Sequence, residues 1–140
     1  MTAEDDSEYR EFCREMHHHR AGKVLHPDVL DSLEAFDLAA GLLWEERKPN
    51  IRAISNTAVG PIFTRLNWAR IGADPAGNVS WEELRGPFPY YGPSTIRAAL
   101  NKLRSLGFID WKRGGKGRID FRILPLESWK VEWRERSYAE

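Results

Sequence analysis

The stretch STIRAALNKLRSLGFIDWKRGGKGRIDFRIL, residues 94–124, decides the fold because its apolar pattern changes period at one glycine. Before that glycine, apolar residues such as Ile96 and Leu100 recur at helical spacing. After it, apolar and polar residues alternate with a period of two. The sequence therefore predicts a helix over 94–106, ended by Gly107 in the left-handed conformation, and then a β-hairpin.

The hairpin is predicted to have strands over 108–112 and 118–124, joined by a tip over 113–117 that contains three glycines. Because successive side chains of a strand point to opposite faces, the second strand has one apolar and one charged face. The apolar face carries Ile119, Phe121 and Ile123, and the charged face carries Arg118, Asp120 and Arg122.

A second local signal lies upstream of this stretch. Ser80 and Glu83 have capping-box spacing, and Val79 and Leu84 can form the accompanying hydrophobic staple. This pattern predicts a short helix that starts at Trp81. Before it, a proline suited to a first helical turn begins the helix PIFTRLNWARIG, and the cluster ADPAGN predicts a turn.

Further helices are predicted outside this region. Residues 28–47 carry an apolar stripe with acidic residues early in the helix, where the helix dipole favours them. Shorter helices are predicted within 1–22 and over 126–138. Residues 50–60 are predicted to be an irregular connector.

The order of helix, turn, capped short helix, turn, second helix and basic hairpin resembles the winged helix-turn-helix domains of bacterial, archaeal and phage regulators and replication proteins. The resemblance covers about 61–124 and is closest in VSWEEL and STIRAALNKLRSLGFID. It implies a mainly α fold with a small antiparallel β-hairpin and added N- and C-terminal helices. It divides the chain into an acidic helical extension (1–50), a winged helix-turn-helix domain (51–125) and a C-terminal helix (126–140). The turn GPFPYYG is longer and more aromatic than is usual in that pattern.

The net charge is zero, but the charge is unevenly distributed along the chain. Residues 1–50 contain six basic and twelve acidic side chains, a balance of −6, whereas residues 93–122 contain eight basic and two acidic ones, a balance of +6. A polarised molecule of this kind can be oriented on a polyanion even when its total charge is nil.

Duplex DNA is therefore the expected partner, and transcriptional regulation is the expected role. On a helical wheel, the solvent side of helix 94–106 has small or hydrogen-bonding residues at its centre and basic residues at its edges, which suits a major groove. Asn101 can pair with adenine and Arg97 with guanine. The predicted DNA-contacting residues are Ser94, Thr95, Arg97, Ala98, Asn101, Lys102, Ser105, Arg113, Lys116 and Arg118.

The same residues have plainer interpretations. The helix face can simply be solvated, and glycine with lysine is ordinary chemistry for a turn. A second hypothesis is a winged-helix module that binds proteins in a replication, partition or other assembly of a mobile element. The DNA hypothesis requires Arg97 and Asn101 to be exposed beside the hairpin, whereas the second requires that face to be covered.

No catalytic activity, cofactor or metal is expected. No residue spacing singles out a catalytic triad, and the glycine-rich tip joins two strands rather than a strand and a helix. The run His17-His18-His19 and His26 suggest metal binding, but adjacent histidines point about 100° apart on a helix. With Cys13 as the single cysteine, a zinc site built on cysteines is excluded.

The expected assembly is a homodimer through helices 28–47, 126–138 or both, because both carry large apolar residues. The N-terminal sequence is acidic and has no apolar core, so a secretion signal is not expected. No apolar run approaches membrane-spanning length. The expected location is the cytoplasm, on the nucleoid when the protein is bound to DNA.

Overall fold

The structure, a computed structural model, describes residues 3–45, 58–86, 91–131 and 133. It is mainly helical with one small antiparallel sheet, as predicted. The predicted connector at 50–60 and the turn GPFPYYG lie largely outside the described residues. In chain order the elements are α1 (Ala3–Ala21), α2 (Pro27–Glu45), α3 (Val59–Trp68), β1 (Ala76–Ser80), α4 (Trp81–Arg85), α5 (Pro93–Ser105), β2 (Ile109–Arg113), β3 (Arg118–Ile123) and a 3-10 turn (Leu126–Ser128).

An aromatic cluster at the centre of the core joins four parts of the chain. Phe36 of α2 stacks on Phe63 of α3 with ring centroids 4.4 Å apart. Phe108, just before β2, contacts Trp129 edge-on at 4.5 Å. All four side chains are buried. Because each aromatic ring buries a large apolar area, this cluster fixes α2 and the C-terminal segment against the body of the fold.

Charged side chains join helix α1 to α2, and Ala21 at the end of α1 packs on the apolar cluster of Val29, Leu30 and Leu33. Arg14 donates to the Glu34 carboxylate at 2.6 Å and to the Asp31 carboxylate at 2.8 Å. Arg10 also pairs with Glu34. None of the helices in the described ranges is long and apolar enough to cross a bilayer.

The sheet has three strands in the order β1-β3-β2, and not only the predicted hairpin. Strand β1 falls where a turn was predicted, because its pairing depends on the distant strand β3. Val79 lies opposite Ile119 and is buried with it. Gly77 lies opposite Phe121, whose ring occupies the space that a side chain at Gly77 would need.

The capped helix α4 is confirmed in position. Ser80 is its N-cap and accepts a hydrogen bond from the Glu83 amide at 3.0 Å, as the capping-box spacing predicts. The guanidinium of Arg65, on α3, donates to the last carbonyls of α4 at 2.8 and 3.2 Å. The same guanidinium lies 5.4 Å from the centre of the Tyr91 ring. These contacts hold α3 and α4 together just before the start of α5.

The predicted C-terminal helix over 126–138 is wrong for the residues that the structure describes. After the 3-10 turn the chain is extended, because Trp129 is inserted into the core instead of lying on a helix face. The Trp129 indole donates to the Leu124 carbonyl at 2.9 Å, and the next amide, that of Lys130, donates to the Leu106 carbonyl at 2.8 Å. The segment therefore closes the core where α5 meets the hairpin.

Candidate nucleic-acid interface

Helix α5 places its apolar residues in the core and leaves its opposite side open to solvent. The buried residues are Ile96, Ala99, Leu100 and Leu103. Of the residues predicted to contact DNA, Lys102 is half-buried, and the exposed ones on this helix are Ser94, Thr95, Arg97, Ala98, Asn101 and Ser105. No described segment covers Arg97 or Asn101.

The two ends of α5 differ in how their polar groups are used. At the start, Gly92 is the N-cap and Pro93 the first residue, and no side chain caps the helix. The amides of the first turn are therefore free of side-chain caps beside the exposed hydroxyls of Ser94 and Thr95. At the end, the Ser105 hydroxyl donates to the Lys102 carbonyl at 2.7 Å and so is used within the helix.

The register of the hairpin separates its basic residues onto two faces. Arg113 lies opposite Ile119, and Trp111 lies opposite Phe121, so these residues share the face that packs on the helices. Lys112, Arg118 and Arg122 lie on the outer face. There Lys112 is opposite Asp120 and Asp110 is opposite Arg122, so the outer face carries mixed charge.

Arg118 is placed differently from the other predicted tip residues. Its Nε donates to the Asn78 side-chain oxygen on β1. Asn78 in turn donates to the Asp120 carboxylate at 2.6 Å. Arg118 is exposed, but its guanidinium is held in a chain of hydrogen bonds on the outer face of the sheet. Arg113, on the other face, and Lys116, in the tip, are exposed as well.

One residue that the sequence reasoning missed joins the helix to the hairpin. The guanidinium of Arg104 donates to the Asn101 side-chain oxygen at 2.9 Å and to the Trp111 carbonyl at 3.3 Å. It also lies 5.2 Å from the centre of the Trp111 ring. Trp81 of α4 meets that ring edge-on at 6.4 Å. The spacing of 101 and 104, which places both residues on one side of a helix, was the signal available in the sequence.

Three of the four histidines accept hydrogen bonds through Nδ1. Nδ1 of His18 accepts from the Leu25 amide at 2.9 Å, and Nδ1 of His26 accepts from the Asp28 amide at 3.0 Å. Nδ1 of His17 accepts from the Trp68 indole at 3.3 Å, and burial lowers the pKa of His17. Within the described ranges, no three histidine, cysteine or carboxylate side chains are grouped to hold a metal ion.

The candidate surface consists of the exposed side of α5 together with Arg113 and Lys116 of the hairpin, and Arg104 links α5 to β2 through Trp111. We call it the α5–tip surface. No family model, curated protein or solved structure matches this chain. Interpretation of the surface therefore depends on its own chemistry.

Proposed function

We propose that this protein is a winged helix-turn-helix protein that binds duplex DNA in the cytoplasm and acts as a transcriptional regulator. The order of elements from α3 to β3 supports the fold assignment, since α4 and α5 form a helix pair followed directly by a hairpin. In such a fold, the second helix of the pair enters the major groove. Strand β1 pairs with β3 and so forms one three-stranded sheet with the hairpin.

The observation that carries the proposal is the composition of the α5–tip surface. Its centre holds Ala98 and Asn101, which are exposed, and short side chains of this kind let a helix backbone approach base edges. Arg97 is exposed on the same helix, and Arg113 and Lys116 are exposed on the hairpin. Small groups at the centre with cations around them match a groove flanked by phosphates.

Each part of the surface has a distinct role in this proposal. Asn101 and Arg97 read base edges in the major groove. The open amides and hydroxyls at the start of α5 bind a phosphate, which the positive end of the helix dipole favours. At the tip, Gly117 has a φ of 67° and no side chain, so the chain turns tightly and approaches a sugar–phosphate backbone closely.

Binding to duplex DNA is the first test. Fluorescence anisotropy with short randomised duplexes is expected to show affinity that falls steeply between about 50 and 200 mM salt. Replacing Arg97 by alanine is expected to weaken binding roughly five- to tenfold, since an arginine contact to a base is lost.

The matched control is Arg122→Ala, which removes an exposed arginine from the outer face of the same sheet. This variant is expected to bind as the wild type does. Absent or salt-insensitive binding by the wild type would contradict the proposal and favour a protein-binding role for the α5–tip surface.

A homodimer through 28–47, 126–138 or both stays a prediction. Within these segments Leu33 and Trp129 are buried in the chain itself, but Leu38, Leu126 and Trp133 are each more than a third exposed. Among the described residues of these segments, these are large apolar side chains that a second copy can contact. Light scattering during gel filtration is expected to give the mass of two chains at micromolar concentration, and a mass of 16.2 kDa would contradict the dimer.

A further inference from the structure

We infer that Arg104 is a positioning residue that holds the amide of Asn101 in the orientation that recognises adenine. This inference rests on the proposed DNA-binding function and adds a specific base to it. Arg104 is one of the eight basic residues of 93–122, and a basic residue near a groove would ordinarily be assigned to a phosphate. Its contacts in the structure indicate a different role.

The guanidinium of Arg104 is engaged on three sides. It donates to the Asn101 side-chain oxygen at 2.9 Å and to the Trp111 backbone carbonyl at 3.3 Å. Its central carbon lies over the Trp111 ring, 5.2 Å from the ring centre. Since a guanidinium is planar and rigid, a contact of this kind fixes the directions in which its N–H groups point.

These contacts determine which way the Asn101 amide faces. Arginine carries five N–H donors and no acceptor, so only the oxygen of Asn101 can face it. The amide is therefore held with its NH₂ group turned away from Arg104. The oxygen has two lone pairs and so retains the capacity to accept a second hydrogen bond.

An amide held in this way matches adenine and not guanine. In the major groove, adenine offers N7 as an acceptor and its N6 amino group as a donor, and asparagine pairs with both through its NH₂ and its oxygen. Guanine offers two acceptors, N7 and O6, so the fixed oxygen of Asn101 would face an acceptor. An amide that is not held could rotate its oxygen away and donate from its NH₂ alone to N7 or O6 of guanine, and the contact with Arg104 opposes that rotation.

The aromatic residues beneath Arg104 support this arrangement. Trp111 is half-buried between the sheet and the helices, and Trp81 packs edge-on against it at 6.4 Å. Arg104 is thus held against a platform made by β2 and α4, both outside its own helix. Through Arg104, the orientation of one base-reading side chain depends on the docking of the hairpin against α5.

The test compares the DNA sequences selected by four full-length proteins: wild type, Asn101→Ala, Arg104→Ala and Arg104→Lys. Each is incubated with randomised duplexes, and bound DNA is sequenced. The wild type is expected to select adenine at one position. Asn101→Ala is expected to lose roughly tenfold of the preference for adenine over guanine at that position, with other positions unchanged. Arg104→Ala is expected to lose a smaller part of that preference, because an Asn101 amide that is not held still pairs with adenine.

Arg104→Lys separates positioning from charge. Lysine keeps the positive charge but has no planar fork that can contact the amide, the carbonyl and the ring together. This variant is expected to lose the same part of the adenine preference as Arg104→Ala, while the slope of log affinity against log salt stays as in the wild type. A phosphate contact predicts the reverse for Arg104→Ala: a slope smaller by about 1 and equal loss for every sequence.

Thermal unfolding of each variant, followed by circular dichroism, shows whether the fold is intact. Selection of adenine by Arg104→Ala at wild-type strength would overturn the inference, as would a uniform loss of affinity with a smaller salt slope. A wild type that binds DNA but selects no adenine would overturn it too, while leaving the proposed function standing. A wild type that binds no duplex overturns both.

Discussion

Replacing Arg113 and Lys116 together by alanine is expected to lower the affinity for duplex DNA roughly 50-fold at about 0.1 M salt. Both side chains are exposed, and Arg113 lies on the sheet face that α5 packs against. Each is proposed to displace counterions from a phosphate. The slope of log affinity against log salt should therefore fall by about 1.8, because each phosphate contact contributes about 0.9.

Arg113 and Lys116 differ from Arg118 in where the hairpin places them. Arg118 was predicted to contact DNA with them, but its guanidinium is tied to Asn78 on the outer face. The matched control is Arg20→Ala with Lys130→Ala, which also removes two exposed cations but from outside the α5–tip surface. A titration of both double variants across several salt concentrations checks the prediction. Equal losses in the two would show that overall charge, and not the tip, determines affinity.

Residues 93–122 contain more basic side chains than the α5–tip surface presents. Residues 93–122 have eight basic side chains, but the pairing of β2 with β3 sends Lys112 and Arg122 to the outer face, opposite carboxylates. Alternation along a strand is visible in the sequence, whereas which face meets α5 depends on packing. The net charge of residues 93–122 therefore overestimates the positive charge that a DNA groove would meet at the α5–tip surface.

The sequence correctly predicted the elements whose signals lie within or directly beside their own residues. Helix α5 follows from its apolar period, and α4 from the Ser80 cap. Strand β1 has no such signal, since AGNVS contains glycine and asparagine and becomes a strand only by pairing with β3. The role of Arg104 was missed for the same reason. Its contact with Trp111 joins α5 to β2, and the sequence does not show how these two elements pack together.

The failed prediction of a C-terminal helix has a related cause. The spacing of apolar residues after Pro125 fits a helix face, but Trp129 gains more by entering the core beside Phe63 and Phe108. Helical periodicity reports that residues are buried, not what buries them. The point where this segment crosses the end of α5 is Gly107, which gives that glycine a second role.

Replacing Gly107 by alanine is expected to reduce the free energy of unfolding by about 3–4 kcal/mol. Gly107 has a φ of 78°, a conformation that costs an alanine about 1–2 kcal/mol. In addition, the new Cβ would overlap the carbonyl oxygen of Ser128. The chain that carries Trp129 must then move away, and the core loses part of that packing. Urea unfolding followed by circular dichroism measures the loss, and a red shift of tryptophan emission would report the displacement of Trp129.

Gly117→Ala is the matched control for this effect. Gly117 has a similar φ of 67°, but no atom lies within 4 Å of the position where its Cβ would be. It should therefore lose only the conformational cost of about 1–2 kcal/mol. The difference between the two variants, about 2 kcal/mol, measures the contact between the C-terminal segment and the junction of α5 with the hairpin. Equal losses would mean that this segment does not brace the junction, and that the hairpin is held against α5 by the buried core residues together with Arg104, Trp111 and Trp81.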